Sequence, residues 1–355
     1  MDGRWLRNCW YQAGWSEEVT ASQPLARTIL SQPVLIFRND EGDVAALHDR
    51  CPHRFAPLSA GKQNGGAVVC GYHGLAFDGS GTCVLNPHGP ITTAMRVQSY
   101  PVAERHTAIW VWLGDLAAAD QALIPDLSFI DETPEAAQIR MYMPTHANYR
   151  LIIDNIMDLS HADFLHPGSL GGIMVGSKAR SREEGDCIVA EWISQDCAPP
   201  PAFAPIVAPA VRADIWTEVV WRAPALMVLA TVATPAGVPR KCGDESHTLH
   251  NMVPETETTT HYFACSTRRF LVEDTAFSKY LEQALTFAFT QEDKPMLEKQ
   301  QARMGTAELW ELAPILLPVD AAAVRVRRKL EALIAAEGRT RADDPGPTGG
   351  GDVRG

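Results

Sequence analysis

The stretch 51–74, CPHRFAPLSAGKQNGGAVVCGYHG, contains two short motifs, Cys51-Pro-His53 and Cys70-x-x-His73. Sixteen residues separate the two motifs, and each offers one thiol and one imidazole on a tight turn. Thiolates and imidazoles are side chains that bind transition metals in proteins. The stretch therefore predicts a metal centre held by the tips of two loops.

Two cysteines and two histidines are the ligand set of a Rieske [2Fe–2S] cluster, in which one iron takes two thiolates and the other takes two imidazoles. Gly71 and Gly74 would let backbone N–H groups approach the sulfur atoms. A Cys2His2 zinc site uses the same ligand types. The mixed C-x-H and C-x-x-H pairs, which lie between predicted strands, favour the cluster over zinc and over four unrelated buried residues.

The composition argues against several classes of protein. The chain of 355 residues carries 31 Lys and Arg against 43 Asp and Glu, which gives a formal net charge of −12. Nucleic-acid binding needs a basic surface, and an anionic membrane surface attracts basic segments rather than acidic ones. The sequence has no apolar run of about 18 residues, and its N-terminus does not resemble a signal peptide. Eight cysteines without an export signal predict reduced thiols and a cytoplasmic location.

The length predicts about two domains. Residues 1–115 consist of short apolar or alternating runs separated by turn signals such as NDEG, GKQNGG and DGSGT, so we expect an all-β domain there. Residues 116–139 are predicted to be a linker, and residues 140–338 an α+β domain. Residues 339–355 are polar and rich in Gly and Pro, which predicts a disordered tail.

The second domain is expected to be an antiparallel sheet flanked by helices, of the helix-grip type. Its strand candidates are IWTEVVWR, LMVLATVA, SHTLHNMV and THYFACST. Apolar residues at helical spacing predict helices over 148–165, 278–305 and 321–338. The Pro- and Ala-rich segment 197–211 is predicted to be a mobile loop.

A second constellation reads Asn155-x-x-Asp158-x-x-His161-x-x-x-x-His166. The first three residues share one face of an ideal helix. His166 cannot share that face unless the helix ends first, and Pro167–Gly168 supplies an ending. Two histidines with one remote carboxylate form the facial triad of non-heme Fe(II) oxygenases. The alternative is a solvated polar face, but polar residues in so apolar a helix need a reason for burial.

The third ligand of this triad must come from elsewhere in the chain. Gln291-Glu292-Asp293-Lys294 places two carboxylates inside an otherwise apolar helical segment. We select Asp293, with Glu292 as the alternative, although a solvated charged face is also compatible with the pattern. Pro295 follows closely and is expected to bend the helix, because it cannot donate a backbone hydrogen bond.

Segments around both constellations are similar to the oxygenase components of the Rieske non-heme iron oxygenases, in particular the vanillate and dicamba O-demethylase type. These segments are NCWYQAGWSEEV, CPHRFAPLSAG, CGYHGLAFDGSG, IWVWLGD, NYRLIIDNIMDLSHADFLH and EDKPMLEKQQ, and the resemblance covers residues 1–335. It implies a cluster held by Cys51, His53, Cys70 and His73. It implies a mononuclear iron held by His161, His166 and Asp293.

The resemblance also implies partners. A homotrimer would place His73 of one subunit against Asp158 and His161 of the next, so that Asp158 bridges the two metal centres. A carboxylate bonded to both imidazoles would fix their tautomers. The chain has no G-x-G-x-x-G element for a dinucleotide. A separate ferredoxin-type reductase would therefore supply electrons from NAD(P)H, with O2 as co-substrate.

The implied reaction is O-demethylation of a vanillate-like methoxybenzoate. Reductase electrons would pass through the cluster to the iron, and the methyl carbon would be hydroxylated at the expense of O2. The resulting hemiacetal would collapse to a phenol and formaldehyde. The alternatives are an N-demethylase, a methyl or ring hydroxylase, a Rieske electron carrier without oxygenase activity, and a zinc-binding interaction protein.

Residues 200–235 and 247–290 are predicted to line the substrate pocket. The resemblance suggests His250 as a contact for a substrate carboxylate or phenol, although a histidine satisfied at a strand edge fits the pattern as well. The apolar residues predicted to flank an aromatic ring are Leu226, Val228, Phe287 and Phe289. A substrate carboxylate would need a cation or several donors; Arg212, Arg222 and Lys241 are nearby in sequence, and the pattern singles out none of them.

Overall fold

Short antiparallel strands build the N-terminal domain. The computed structural model describes residues 4–343. The strands of this domain are β1 Trp10–Trp15, β2 Leu25–Ile29, β3 Gln32–Arg38, β4 Val44–His48, β5 Lys62–Asn64, β6 Ala67–Val69, β7 Ala76–Asp78, β8 Cys83–Leu85, β9 Ser99–Tyr100, β10 Val102–Arg105 and β11 Ala108–Trp112. They form sheets of order β1-β11-β10, β2-β3-β4-β9 and β5-β6-β7-β8. The predicted all-β domain is confirmed.

A seven-stranded antiparallel sheet of order β12-β18-β17-β16-β15-β14-β13 is the centre of the second domain. Its strands are β12 Gln138–Thr145, β13 Lys178–Glu184, β14 Cys187–Cys197, β15 Ala213–Arg222, β16 Leu226–Pro235, β17 Glu245–Pro254 and β18 Thr260–Arg268. The four predicted strands are confirmed as parts of β15 to β18. The sequence reasoning did not identify β12, β13 or β14.

Helices pack against this sheet, as predicted. They are α1 Ser128–Asp131, α2 Tyr149–Met157, α3 Ala162–Leu165, α4 Ala204–Val207, α5 Thr275–Phe287, α6 Lys294–Met304 and α7 Ala321–Asp343. A π-helical segment, Ala288–Asp293, joins α5 to α6. Within the described range, no helix combines the length and the apolar character needed to cross a bilayer.

The prediction of one continuous helix over 148–165 is wrong. Helix α2 ends at Met157, and Asp158 has an extended backbone with φ −131° and ψ 94°. The Asp158 carboxylate accepts the N–H of Ser160 at 3.0 Å and so caps a 3-10 turn over Leu159–His161. Short polar side chains that bond to a nearby backbone N–H commonly stop a helix in this way. Asn155, Asp158 and His161 therefore do not share one helix face.

The predicted helix over 278–305 is present, but a π-helical segment interrupts it before Pro295, where the bend was expected. It starts at Thr275, passes through the π-helical segment and continues as α6. Pro295 lies in the first turn of α6, where a missing N–H is tolerated. Single π-helical turns inside α-helices occur frequently at functional sites, and this one ends on Asp293.

Three predicted irregular segments are more ordered than expected. In the predicted linker, Ile124, Leu127 and Ile130 are buried in the core. The predicted mobile loop 197–211 contains α4, because Val207 packs into an apolar cluster under it. Helix α7 continues past Gly338 to Asp343, and the rest of the predicted tail, 344–355, lies outside the described residues. The domain boundaries at 115 and 140 stay predictions.

Helix α7 holds α2 in place through a buried ion pair. The guanidinium of Arg327 makes three hydrogen bonds of 2.6–3.0 Å to the carboxylate of Asp154. The Arg327 side chain is 2% exposed and that of Asp154 is 23% exposed. Because α2 leads directly to Asp158 and His161, this pair fixes the position of the second constellation relative to the sheet.

We predict that Arg327→Ala lowers the free energy of unfolding by about 3 kcal/mol, because it leaves a largely buried carboxylate unpaired. Chemical denaturation followed by circular dichroism measures this change. The matched control is Arg328→Ala, an exposed position on the same helix, for which we expect a change within about 0.5 kcal/mol. Equal stability of the two variants would contradict the assigned role of the pair.

Candidate active site

Two loops with the same backbone pattern carry the first constellation. In the first loop, the N–H of Cys51 donates to the carbonyl of Ala56 at 2.8 Å, and the N–H of Phe55 donates to the carbonyl of Cys51 at 2.9 Å. Residues 70–75 repeat both bonds, at 2.8 and 3.0 Å. The fourth residue after each cysteine has a left-handed φ, +59° and +76° respectively. The two loops therefore have equivalent turns at their cysteines, with the histidine two residues after Cys51 and three residues after Cys70.

The four side chains meet at the surface of the N-terminal domain. Cys51 and Cys70 are each 2% exposed, whereas the rings of His53 and His73 lie further out with their centroids 4.5 Å apart. Two buried thiols with two outer imidazoles fit a cluster of two irons better than one zinc ion.

The second constellation closes into a compact triad with Asp293. The ligand atoms of His161, His166 and Asp293 all lie within 4.8 Å of one another. Asp293 Oδ1 is 3.2 Å from His166 Nε2 and 3.5 Å from His161 Nε2. The side chains of His166 and Asp293 are 2% and 6% exposed, so the triad is largely shielded from water.

Hydrogen bonds on the outer side of each ring fix both imidazoles. His161 Nδ1 lies 2.6 Å from the main-chain oxygen of Asp158, and His166 Nδ1 lies 2.7 Å from Glu292 Oε2. Since both partners are acceptors, each Nδ1 carries the proton and each Nε2 keeps a lone pair facing Asp293. Two lone pairs and a carboxylate aimed at one point need a cation between them, which is how histidine and carboxylate ligands are arranged in metal sites.

Asp293 and Glu292 have different surroundings in the structure. Burial alone would raise the pKa of Asp293, but its close contacts with the His161 and His166 rings lower it to about 2. Burial alone would lower the pKa of His166. The carboxylates of Asp293 and Glu292 outweigh the effect of burial and raise this pKa. Asp293 therefore faces both ring nitrogens, whereas Glu292 supports His166 from behind.

The two other polar residues of the constellation lie beside the triad. The amide nitrogen of Asn155 donates to Asp293 Oδ1 at 3.2 Å and lies 3.3 Å from His161 Nε2. Asp158 contacts His161 through its main-chain oxygen, while its carboxylate bonds to Ser160. The expectation was a carboxylate contact to His161, and in this subunit the carbonyl makes that contact instead.

A cavity of about 120 Å³ extends from the triad between the sheet and α5. Its sheet side carries Thr217, Leu229, Thr231, Ser246, Thr248, His250, Ser266 and Arg268. Its opposite side carries Phe277, Leu281, Leu285 and Phe289, spaced four residues apart along the α5 side. Ala202, Phe203 and Ile206 of the 197–211 segment cover it. Both predicted lining regions contribute, but Leu229 faces the cavity where Val228 was expected, because strand residues alternate between faces.

Of the other three residues predicted to flank an aromatic ring, two lie outside the cavity. Leu226 packs in the core and Phe287 is 55% exposed, so of the four only Phe289 lines the cavity. The three suggested cations also lie outside it. Arg212 pairs with Asp196 at the surface, and Arg222 and Lys241 are exposed.

His250 lies in the cavity wall next to Phe289, with ring centroids 5.7 Å apart. It is 1% exposed, its Nδ1 is 2.6 Å from the hydroxyl of Tyr262, and its Nε2 has no hydrogen-bond partner within the described part of the chain. Burial lowers the pKa of His250 to about 4 and raises that of Tyr262 well above its usual value. Both groups are therefore neutral near pH 7, and Tyr262 can donate to Nδ1.

Comparison with known proteins explains this pairing of sites. Residues 9–101 match the Rieske [2Fe–2S] domain, and residues 145–336 match the C-terminal domain of the vanillate O-demethylase oxygenase. The chain belongs to the Rieske non-heme iron oxygenases. An oxygenase of this family carries a Rieske [2Fe–2S] cluster and a mononuclear non-heme iron, and the two constellations described above supply suitable ligand types for both.

Individual relatives of this oxygenase match over nearly the whole chain. The dicamba O-demethylase oxygenase component of Stenotrophomonas maltophilia is 37% identical over 92% of this chain and 97% of its own. A vanillate O-demethylase oxygenase subunit of Pseudomonas is 34% identical, over 87% and 96%. The crystal structure of dicamba monooxygenase bound to dicamba matches with a TM-score of 0.87 and 36% identity, over 94% and 98%. The protein is therefore an iron monooxygenase of the O-demethylase type.

We predict that Glu292→Gln weakens Fe(II) binding at the triad by about 10- to 100-fold, because a partner of a ligating histidine sets its tautomer and basicity. Competition with a chromophoric chelator measures the affinity. Gln291→Ala, at the exposed neighbouring position, is the control and should bind Fe(II) like the unmodified protein. Unchanged affinity in Glu292→Gln would mean that Glu292 does not support His166.

Proposed function

We propose that this oxygenase component hydroxylates the methyl group of an aryl methyl ether, with a vanillate-like methoxybenzoate as substrate. The observation that carries the proposal is the cavity of about 120 Å³, which opens onto His161, His166 and Asp293 and is otherwise mainly apolar. A dry apolar cavity of about 150 Å³ is known to admit one benzene ring. The cavity beside the triad is therefore of the order of size that one aromatic ring needs.

Cys51, His53, Cys70 and His73 hold the [2Fe–2S] cluster in this proposal, and His161, His166 and Asp293 hold the iron. The equivalent loop turns support the first assignment, and the converging acceptor atoms support the second. When bound, the iron would activate O2, and the electrons would come from the cluster. Products of methyl hydroxylation would be a phenol and formaldehyde.

The chain's own residues would position the substrate and keep water away from the triad. The α5 side of the cavity presents Phe277, Leu281 and Leu285 to the ring. Glu292 and the carbonyl of Asp158 keep the two Nε2 lone pairs on the cavity side. Asn155 would act as a positioning residue, since it donates to Asp293.

His250 would hold an oxygen substituent next to the methyl ether. The hydroxyl of Tyr262 has His250 Nδ1 as its one acceptor among the described residues, so donation to Nδ1 leaves the proton on Nε2. A buried O–H without an acceptor would be costly. Nε2–H is then a neutral donor facing the cavity, suited to a phenol or carboxylate oxygen.

The oxygenase component would work as a homotrimer with a separate reductase. Phe55 and Tyr72 beside the cluster loops are 66% and 60% exposed, and Phe164 beside the triad is 78% exposed. Large exposed aromatic side chains near both centres suggest surfaces that another copy of the chain covers. Asp158 would then lie between the cluster of one subunit and the triad of the next. The eight cysteines are free, which supports a reducing, cytoplasmic location.

We predict that the protein, supplied with a reductase, NADH and O2, converts vanillate to the corresponding catechol and one formaldehyde per turnover. Liquid chromatography and a formaldehyde assay measure the two products. His161→Ala should abolish turnover and leave the visible spectrum of the cluster unchanged. A lost cluster spectrum would instead make His161 a structural residue.

A second candidate reaction is attack at an N-alkyl group. The chloroacetanilide N-alkylformylase oxygenase component of Rhizorhabdus wittichii is 37% identical over 95% of this chain and 97% of its own. An N-methylated anilide tested beside vanillate separates the two reactions, because its product is the N–H anilide and not a phenol. A higher kcat/KM for the anilide than for vanillate would contradict the O-demethylase proposal and favour N-dealkylation.

We predict that His250→Phe raises the KM for vanillate about five- to tenfold with little change in kcat, because it removes one neutral hydrogen bond to the substrate. His247→Gln, on the opposite face of the same strand, is the control. Since the pKa of His250 is about 4, the KM should be constant between pH 6 and 8. A KM that changes through pH 6.5 would show that His250 ionises in the working range.

A further inference from the structure

Arg268 is a buried cation in the wall of the cavity. Arg268 is 2% exposed and lines the cavity together with Phe270 and Phe277. Its Nη2 donates to Ser278 Oγ and, at 3.4 Å, to the carbonyl of Leu271. Its Nε is buried and has no hydrogen-bond partner among the described residues.

This guanidinium also lacks a carboxylate partner. Within residues 4–343 it forms no ion pair, and the side chain of Asp274 is engaged as the N-cap of α5, accepting the N–H of Phe277 at 2.9 Å. Burial lowers the pKa of Arg268 and Asp274 opposes that change, but an arginine keeps its charge in proteins. A buried charge without a counter-ion is costly. An anion that enters the cavity would supply the counter-ion that Arg268 lacks.

The strand register places Arg268 at the end of the cavity away from the triad. In the pairing of β17 with β18, His250 lies opposite Ala264 and Ser246 lies opposite Arg268. Arg268 is four residues from Ala264, which is an even number, so it shares the sheet face of His250. At about 3.4 Å per residue the two positions are about 14 Å apart.

The helix on the opposite side confirms this direction. Phe289, at the triad end, contacts His250, and Phe277, twelve residues earlier, has the guanidinium of Arg268 5.4 Å from its ring centroid. Between the two ends, the hydroxyls of Thr248 and Ser266 lie on the sheet face. The cavity is therefore polar and neutral at His250, and cationic at Arg268.

We infer that Arg268 binds the anionic group of the substrate, a carboxylate or sulfonate on the side of the ring away from the reacting methyl group. This inference rests on the proposed function and specifies its substrate class. A group ortho to the methyl ether could reach His250 but not Arg268, since the two ends lie so far apart. The favoured substrates are aryl methyl ethers with an acid meta or para to the ether, directly or on a short side chain, and Arg268 is their specificity-determining residue.

Binding of matched acids and amides tests this assignment without turnover. In vanillate the acid is meta to the ether, and vanillamide is its neutral counterpart. We expect isothermal titration calorimetry to show that the holoenzyme binds vanillate about 10- to 100-fold more tightly than vanillamide, the range typical of a hydrogen-bonded charge. Arg268→Gln should abolish this ratio. For 2-methoxybenzoate and 2-methoxybenzamide, Arg268→Gln should leave the ratio unchanged.

Two further variants separate charge recognition from a structural role. Arg269→Gln changes the neighbouring arginine, which is 60% exposed and paired with Glu132, and should retain the full preference for vanillate. Arg268→Lys keeps the charge and should retain part of the preference for vanillate. This variant also serves as the test if Arg268→Gln fails to fold. If Arg268 had only a structural role, both Arg268 variants would lose affinity for vanillate and for vanillamide by the same factor. That result would overturn the inference.

The remaining outcomes separate this inference from the proposed function. Equal binding of vanillate and vanillamide by the unmodified holoenzyme, or binding of neither, overturns the inference. A preference for the acid that is lost in Arg268→Gln, in a protein that releases no formaldehyde from vanillate, supports the anion site and overturns the proposed O-demethylation.

Discussion

The convergence of two imidazole lone pairs and one carboxylate oxygen is the constraint on which the second domain depends. His161, His166 and Asp293 bring these atoms within 4.8 Å in a largely buried place. With both rings neutral and protonated on Nδ1, all three side chains present acceptor atoms to one point, as the ligands of a metal ion do. The outer hydrogen bonds from the rings to Asp158 and Glu292 allow no other tautomer. The backbone on both sides of the triad therefore supports the proposed metal site.

Two departures from regular helix produce that convergence. Asp158 ends α2 by capping the next turn, which turns His161 and His166 towards the sheet. The π-helical segment between α5 and α6 ends at Asp293 and brings its carboxylate to the same point, with Glu292 left behind His166. Tertiary contacts such as the Arg327–Asp154 pair hold these segments in place. The cavity then lies where these segments meet the sheet.

The sequence predicts the parts of this arrangement that are local. Cys51 to His73 and the two histidines of the triad stand out because rare ligand types recur at short spacing, and the strands alternate clearly. The choice of Asp293 over Glu292 as a ligand stays a prediction: the sequence pattern leaves both open, and the structure brings the Asp293 carboxylate close to both histidine rings. The break at Asp158 was missed because helical apolar spacing continues through it. Arg268 was missed because nothing local separates it from its neighbour, and its burial depends on distant α5.

Metal and sulfide analysis tests the central claim most directly. The protein is purified, reloaded with Fe(II) under anaerobic conditions, and assayed for iron, zinc and acid-labile sulfide together with its visible spectrum. The account predicts about three irons and two sulfides per chain, the sum of one [2Fe–2S] cluster and one mononuclear iron. A colourless protein with zinc, or two irons that added Fe(II) does not raise to three, would contradict it.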